Sequence, residues 1–188
     1  MTRPDVHGLH ASKAEAGKVL ALKGRHPEAL AKYREALRLA QGVRAPQIFA
    51  RHYLHCVLES LERMGAHGQA ATLAGEAASS AANETGDLEP SAFQQRDRAC
   101  LLERQGVNLL KAGETTAARA SLEAALALDD GLPLTRRLLG WTERGLSVSA
   151  AQLAQAQRTH GYWVVRSETV NSARAREPAV LTKEPMDG

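Results

Sequence analysis

Four glycines set the rhythm of the chain. Gly24, Gly65, Gly113 and Gly145 each end an apolar, helix-periodic stretch, and five residues after each comes an alanine: Ala29, Ala70, Ala118 and Ala150. Four further on stand Tyr33, Ala74, Leu122 and Ala154. Three beyond those come Ala36, Ala77, Ala125 and, out of pattern, Gln157. The register also holds upstream, with Leu20, Leu61, Leu109 and Trp141 four residues before the glycines and Gly17, Leu58, Gly106 and Leu138 seven before. This spacing describes a helix, a reversal at glycine and a second helix. Small residues stand where the two helices cross, and larger apolar ones fill the space a turn away. One such hairpin cannot bury both its faces, so successive hairpins stack and share a core.

Start and stop signals fill in the map. A loose leader over residues 1–8 precedes a helix from about Leu9 to Lys23. Pro27 suits the first turn of the second helix, where its fixed φ and missing donor are tolerated, and that helix ends near Gly42. Pro46 opens the third helix and Gly65 closes it. The fourth, about Gln69 to Asn83, is rich in Ala and Ser and allows close approach to a neighbour. After a turn over 84–90, the fifth helix runs from about Ser91 to Ala112, and Thr115 is the expected N-cap of the sixth. The seventh runs from Pro133 to Arg144. The eighth, capped by Ser147 or Ser149, runs from Ala150 to Thr159. The repeat domain therefore covers 9–159. Residues 160–170 hold the single aromatic and β-branched cluster, Tyr162, Trp163, Val164 and Val165. From Asn171 on, Arg, Glu and Pro alternate without an apolar period, so 171–188 reads as a disordered tail.

Composition narrows the function classes. Phe, Trp and Tyr together make up 4% of the chain, so the core is packed with Ala and Leu. Sparse β-branched residues argue against a sheet. No apolar run has the length of a membrane span, and no apolar signal stretch opens the chain. The expectation is a soluble, cytoplasmic protein with no membrane partner, and the Ala, Arg and Leu bias fits a GC-rich bacterial genome. Cys56 and Cys100 make no disulfide framework. The net charge of +3 is unevenly spread: residues 1–51 balance at +6 and residues 52–95 at −5. Such a split orients a partner, favours head-to-tail self-contact, or marks two solvated faces of different sign. The basic segment lacks the aromatic platforms of a nucleic-acid surface, so no nucleic acid is expected.

The hairpin pattern resembles the tetratricopeptide repeat. The matching residues are Gly17, Leu20, Gly24, Ala29, Tyr33 and Ala36 in the first unit and Gly106, Leu109, Gly113, Ala118, Leu122 and Ala125 in the third. The second unit keeps Leu61, Gly65, Ala70 and Ala77 but has Ala74 where a bulky residue is usual, and the fourth is degenerate, as a capping hairpin would be. The glycines lie 41, 48 and 32 residues apart, against a family unit of about 34. The fold class implied is all-α: an α–α hairpin superhelix of about three to four hairpins, with a non-helical C-terminal segment.

In that family the first helix of each hairpin lines a concave groove. Carried over by position, the groove residues are Ala14, Lys18, Ala21, His52, His55, Glu59, Arg63, Cys100, Glu103, Val107 and Lys111. The family's terminal-carboxylate clamp is not reproduced, because Lys18 and Cys56 stand at its Asn positions. His52, His55, Cys56 and Glu59 share a helix face that Cys100 could oppose. Three or four converging donors of this kind bind zinc, but the spacing follows no established zinc motif, so a face with two ordinary histidines and no metal is expected. No phosphate-binding loop, nucleophile elbow or metalloprotease helix occurs, and no cofactor is expected.

The functional expectation is a non-catalytic adaptor, scaffold or chaperone-like module. It binds a protein or peptide segment in the groove through Lys18, His52, His55, Glu59, Arg63, Glu103 and Lys111. The alternative is an accessory subunit of an enzyme or assembly that docks, or self-associates as a homo-oligomer, through Tyr162, Trp163, Val164 and Val165. That segment has a second reading, as a flap folded over the last hairpin to cover apolar surface.

Overall fold

The computed structural model describes residues 6–84 and 89–175. Eight α-helices occur among them: α1 (Val6–Leu22), α2 (His26–Gly42), α3 (Gln47–Arg63), α4 (His67–Asn83), α5 (Ala92–Lys111), α6 (Thr115–Leu128), α7 (Pro133–Glu143) and α8 (Ala150–Thr159). A short 3-10 turn, Ser167–Thr169, follows. The chain is an all-α hairpin array in which neighbouring helices pack in succession, and α3 also touches both α1 and α5. The odd-numbered helices therefore form one layer and present an inner face. No described helix is long and apolar enough to cross a membrane.

The repeated glycine has a repeated cause. Gly24 has φ +74°, a left-handed conformation that side chains with a Cβ adopt at a cost. It lets the amide of Arg25 reach back to Leu20 O at 3.0 Å and the Gly24 amide to Ala21 O at 2.9 Å, the paired bonds of a Schellman motif. Gly65, Gly113 and Gly145 repeat the same two bonds. At the end of α2 the reversal comes at Arg44 rather than Gly42. Arg44 takes φ +51°, a conformation costing about 1 kcal/mol, and the amide of Ala45 bonds back to Ala40 O at 2.9 Å.

The interior glycines mark helix crossings. A Cβ on Gly17 would lie 2.5 Å from Tyr33 Cε1, and one on Gly106 would lie 2.6 Å from Leu122 Cγ. Each glycine of the first helix thus admits a bulky side chain from the second. The second hairpin inverts the arrangement. Leu58, fully buried, comes from α3, and Ala74 from α4 makes room in the same cluster. Ala74 is therefore a compensated exchange rather than a loss. The consequence is geometric: α1 and α2, and α5 and α6, approach more closely than α3 and α4.

Some expected boundaries shift. Helix α1 begins at Val6, three residues inside the expected leader, whose residues 1–5 lie outside the described part. The cap of α6 is Glu114, not Thr115, and gives no side-chain bond. Ser91 and Ser149 do cap α5 and α8, each in a reciprocal box with the glutamine three residues on. The expected disordered tail starts too early. Residues 171–175 form a turn in which the amides of Arg174 and Ala175 bond Asn171 O, while 176–188 lie outside the described residues.

Candidate functional site

Beyond α8 the chain turns at Gly161 and runs back along the inner face, from the last hairpin to α1. Residues 162–175 are a strap across the layer of odd-numbered helices. Tyr162 packs with Leu153 and Ala156 of α8 and with Leu134 and Leu138 of α7. Val165 is buried in a different cluster, with Ala21, Tyr33, Cys56 and Leu61 of the first two hairpins. The fold-back expectation had the segment cover the last hairpin; it does more, because it reaches the first.

Three glutamates hold the strap. Glu59 Oε2 accepts the amides of Val164 at 2.7 Å and Val165 at 3.0 Å. Two successive N–H groups converge on one oxygen at the bend in the strap, a main-chain nest around an anion. Glu62, whose side chain has no solvent exposure, accepts four bonds. Its Oε1 takes Lys111 Nζ at 2.6 Å and Gln157 Nε2 at 2.7 Å, and its Oε2 takes the Tyr162 hydroxyl at 2.7 Å and Asn108 Nδ2 at 3.3 Å. Glu15 accepts the Asn171 amide at 2.7 Å through one oxygen and Lys18 Nζ at 2.8 Å through the other. Ser12 Oγ completes the row with a bond to Arg174 O at 2.6 Å.

The cationic side of the site is Arg104, 3% exposed. Its Nη2 donates to Tyr162 O at 3.1 Å, its guanidinium lies 4.6 Å from the Tyr162 ring centre, and its Nε donates to His55 Nδ1 at 3.1 Å. Because arginine only donates, His55 Nδ1 must be unprotonated there and Nε2–H donates to Asp97 Oδ1 at 3.1 Å. The ring is neutral, in keeping with burial that lowers its pKa despite the Asp97 bond. Further out, the Arg63 guanidinium stands 3.6 Å from the Trp163 ring centre and Lys111 Nζ 5.6 Å.

Charge states differ along the face. Burial pushes the Glu59 carboxyl upward, and the two strap amides only partly offset this. Burial pushes Glu62 upward too, but Lys111, Arg104 and its hydrogen bonds bring it below the ordinary carboxylate value. His52 falls to about 4, from burial first and Lys18 second. Burial raises the Cys56 thiol to about 12 and Cys100 to about 11, so both stay protonated near neutral pH and are poor nucleophiles and poor metal ligands. His52 Nε2 lies 3.9 Å from Cys56 Sγ. Among the described residues no group of three or more His, Cys, Asp or Glu side chains converges on a common point for a metal.

The seven residues expected as groove contacts do share this face, but the groove is not open. Glu59, Arg63 and Lys111 engage the strap or its anchor. Lys18 is buried and paired to Glu15. Glu103 is buried because it caps α7 from a neighbouring helix, accepting Thr135 N at 3.2 Å and Thr135 Oγ1 at 2.7 Å. Beside the strap a cleft of about 580 Å³ remains, lined by Lys18, His52, His55, Cys100, Glu103, Arg104 and strap residues including Trp163 and Thr169. Sequence reading missed Glu62, Arg104 and Asn108, which look like ordinary surface positions of a helix. Gln157 did leave a signal, as a polar residue in an alanine slot, and it is fully buried on Glu62. No protein-family model, no curated protein and no solved structure matches this chain.

Proposed function

We propose that this chain is a non-catalytic protein-interaction module, a tetratricopeptide-like array of a bacterial cytoplasm whose inner face binds a non-helical segment of a partner protein. The observation that carries this reading is the strap. The inner face already holds a peptide-like segment through main-chain amides on Glu59, a main-chain carbonyl on Arg104, an aromatic hydroxyl on Glu62 and a β-branched side chain in an apolar socket. Peptide recognition draws on the same elements: backbone bonds for affinity and side-chain pockets for specificity. Docking through an exposed Tyr162–Val165 segment is the weaker reading, because Tyr162 and Val165 are buried against the chain itself.

Site-specific photocrosslinking tests this. A photoreactive residue at exposed Arg63 or half-buried His52 is compared with one at exposed Arg38 on α2. Groove binding predicts one crosslinked partner from positions 63 and 52 and none from 38. Crosslinks from position 38 alone would overturn it.

A further inference from the structure

We infer that the strap is a resident ligand of the groove, and that the partner segment which replaces it is a non-helical peptide on the same plan: a tyrosine followed three residues later by a valine or isoleucine. This rests on the groove-binding reading and specifies its ligand.

The strap is gripped unevenly. Its root has two side-chain anchors, Tyr162 and Val165, which are 7% and 6% exposed, with the Glu59 nest between them. Past Val165 the grip is thin. Arg166, Ser167, Glu168 and Thr169 are all exposed and bond largely to one another: Thr169 Oγ1 accepts the Arg166 amide at 3.1 Å and lies 2.9 Å from Arg166 O, to which it donates. The next holds on the array are half-buried Val170 against the cluster that seats Val165, Asn171 on Glu15 and Arg174 on Ser12. Opening can therefore begin at the distal strap, and the Tyr162 and Val165 pockets are vacated as it extends to the root.

The chemistry of the grip defines what can take its place. Glu59 reads main-chain N–H groups, which any residue except proline supplies. Selectivity comes from the two anchors. The first needs a phenolic hydroxyl to meet Glu62 and a ring to lie against Arg104. The second needs a short branched side chain, because the Val165 socket is walled by Ala21, Ala29, Tyr33 and Cys56. Between them, an aromatic residue gains from the Arg63 and Lys111 cations, as Trp163 does. The cleft beside the strap gives an incoming segment a landing site, since strap residues form one of its walls and His52, His55 and Arg104 another. An internal competitor sits at an effective concentration on the order of millimolar, so partner binding is weakened for as long as the strap stays down.

The experiment uses the full chain and a labelled synthetic peptide with the sequence of residues 160–174. A Val165→Asp substitution places a charge in the apolar socket and disables the resident strap. The variant should bind the peptide at least tenfold more tightly than the wild-type chain, and a peptide with both anchor positions changed to alanine should bind neither. Equal affinity for both proteins, or no binding by a variant that keeps its helical circular dichroism, overturns the inference. A second measurement needs no variant: amide exchange of Val164 and Val165 in the wild-type chain. It should be at least tenfold faster than that of buried α3 and α5 amides, through local opening, whereas equal protection overturns the inference. Strap exchange between copies, seen as a concentration-dependent wild-type dimer, overturns the assignment to a separate protein. Groove crosslinks together with fully protected strap amides would sink this inference and leave the groove reading standing. Peptide binding together with crosslinks only at position 38 would do the reverse.

Discussion

Two kinds of interface hold this chain together, and they follow different rules. The hairpin crossings are dry and steric: glycine against tyrosine, glycine against leucine, or leucine against alanine. Partners there stand sixteen residues apart, on two helices joined by one short turn, and only volume is read. The inner face is polar and long-range, with Glu62 drawing its partners from α5, α8 and the strap. A crossing tolerates exchange of large and small between its two sides. A buried carboxylate with four donors tolerates no such exchange, because removing it takes the acceptor from four donors at once.

The sharpest way to break this contrast is Glu62→Ala. It leaves the Tyr162 hydroxyl and the Gln157 amide buried without their acceptor and half-buried Lys111 without its counter-charge, and the expected loss is about 3–5 kcal/mol by urea unfolding. A loss below that of a crossing substitution would show that the inner face is the lesser interface. Next comes Leu58→Ala, which opens a cavity in the second crossing and should cost about 3 kcal/mol. Gly106→Ala should cost about 2 kcal/mol by overpacking Leu122. Pairing it with Leu122→Ala should give a double variant less unstable than the two single costs combined, and strict additivity would contradict the steric account. Arg63→Ala, which removes only an exposed stack on Trp163, should cost about 0.5–1 kcal/mol and shift Trp fluorescence.

The smallest effect at neutral pH is the most diagnostic one in acid. His52 is held at about 4 against an ordinary 6.5, so the unfolded chain takes up a proton that the folded chain refuses. The stability it contributes is complete above 6.5 and is lost as the pH falls toward 4. His55 acts in the same direction. Glu62, with its pKa lowered, adds a loss below 4.5, while Glu59 and Glu103, raised by burial, contribute most in acid and less as the pH rises. His52→Gln should flatten the unfolding midpoint between pH 6.5 and 4. The cost of Leu58→Ala should not change across that range, since no titrating group lies in its cluster.

The division also explains what was legible. Helix reversals and crossings are local events, and the Gly–Ala register of the four units announces them. Even Ala74 was readable once set beside Leu58 across the crossing. The strap was not, because periodicity says nothing about contacts between residues 59 and 165 that are separated by most of the chain. The seven residues named from the sequence lie along the layer of odd-numbered helices, yet their roles differ: Glu103 caps a helix and Lys18 pairs within its own helix. Arg104 and Asn108 carry the polarity of surface residues, and nothing in the local pattern distinguishes them from solvated positions.

Stacked hairpins are ordinarily one-dimensional objects, each unit stabilised by its neighbours, so that an end can fray while the middle stays intact. The bonds from Asn171 and Arg174 to α1 close this line into a loop. The C-terminal strap is tied to the first helix, so neither terminal hairpin is free to melt alone while the strap is down. The array should unfold in a single cooperative step, and it should fold more slowly than an untied stack of the same length, because its closing contacts span nearly the whole chain.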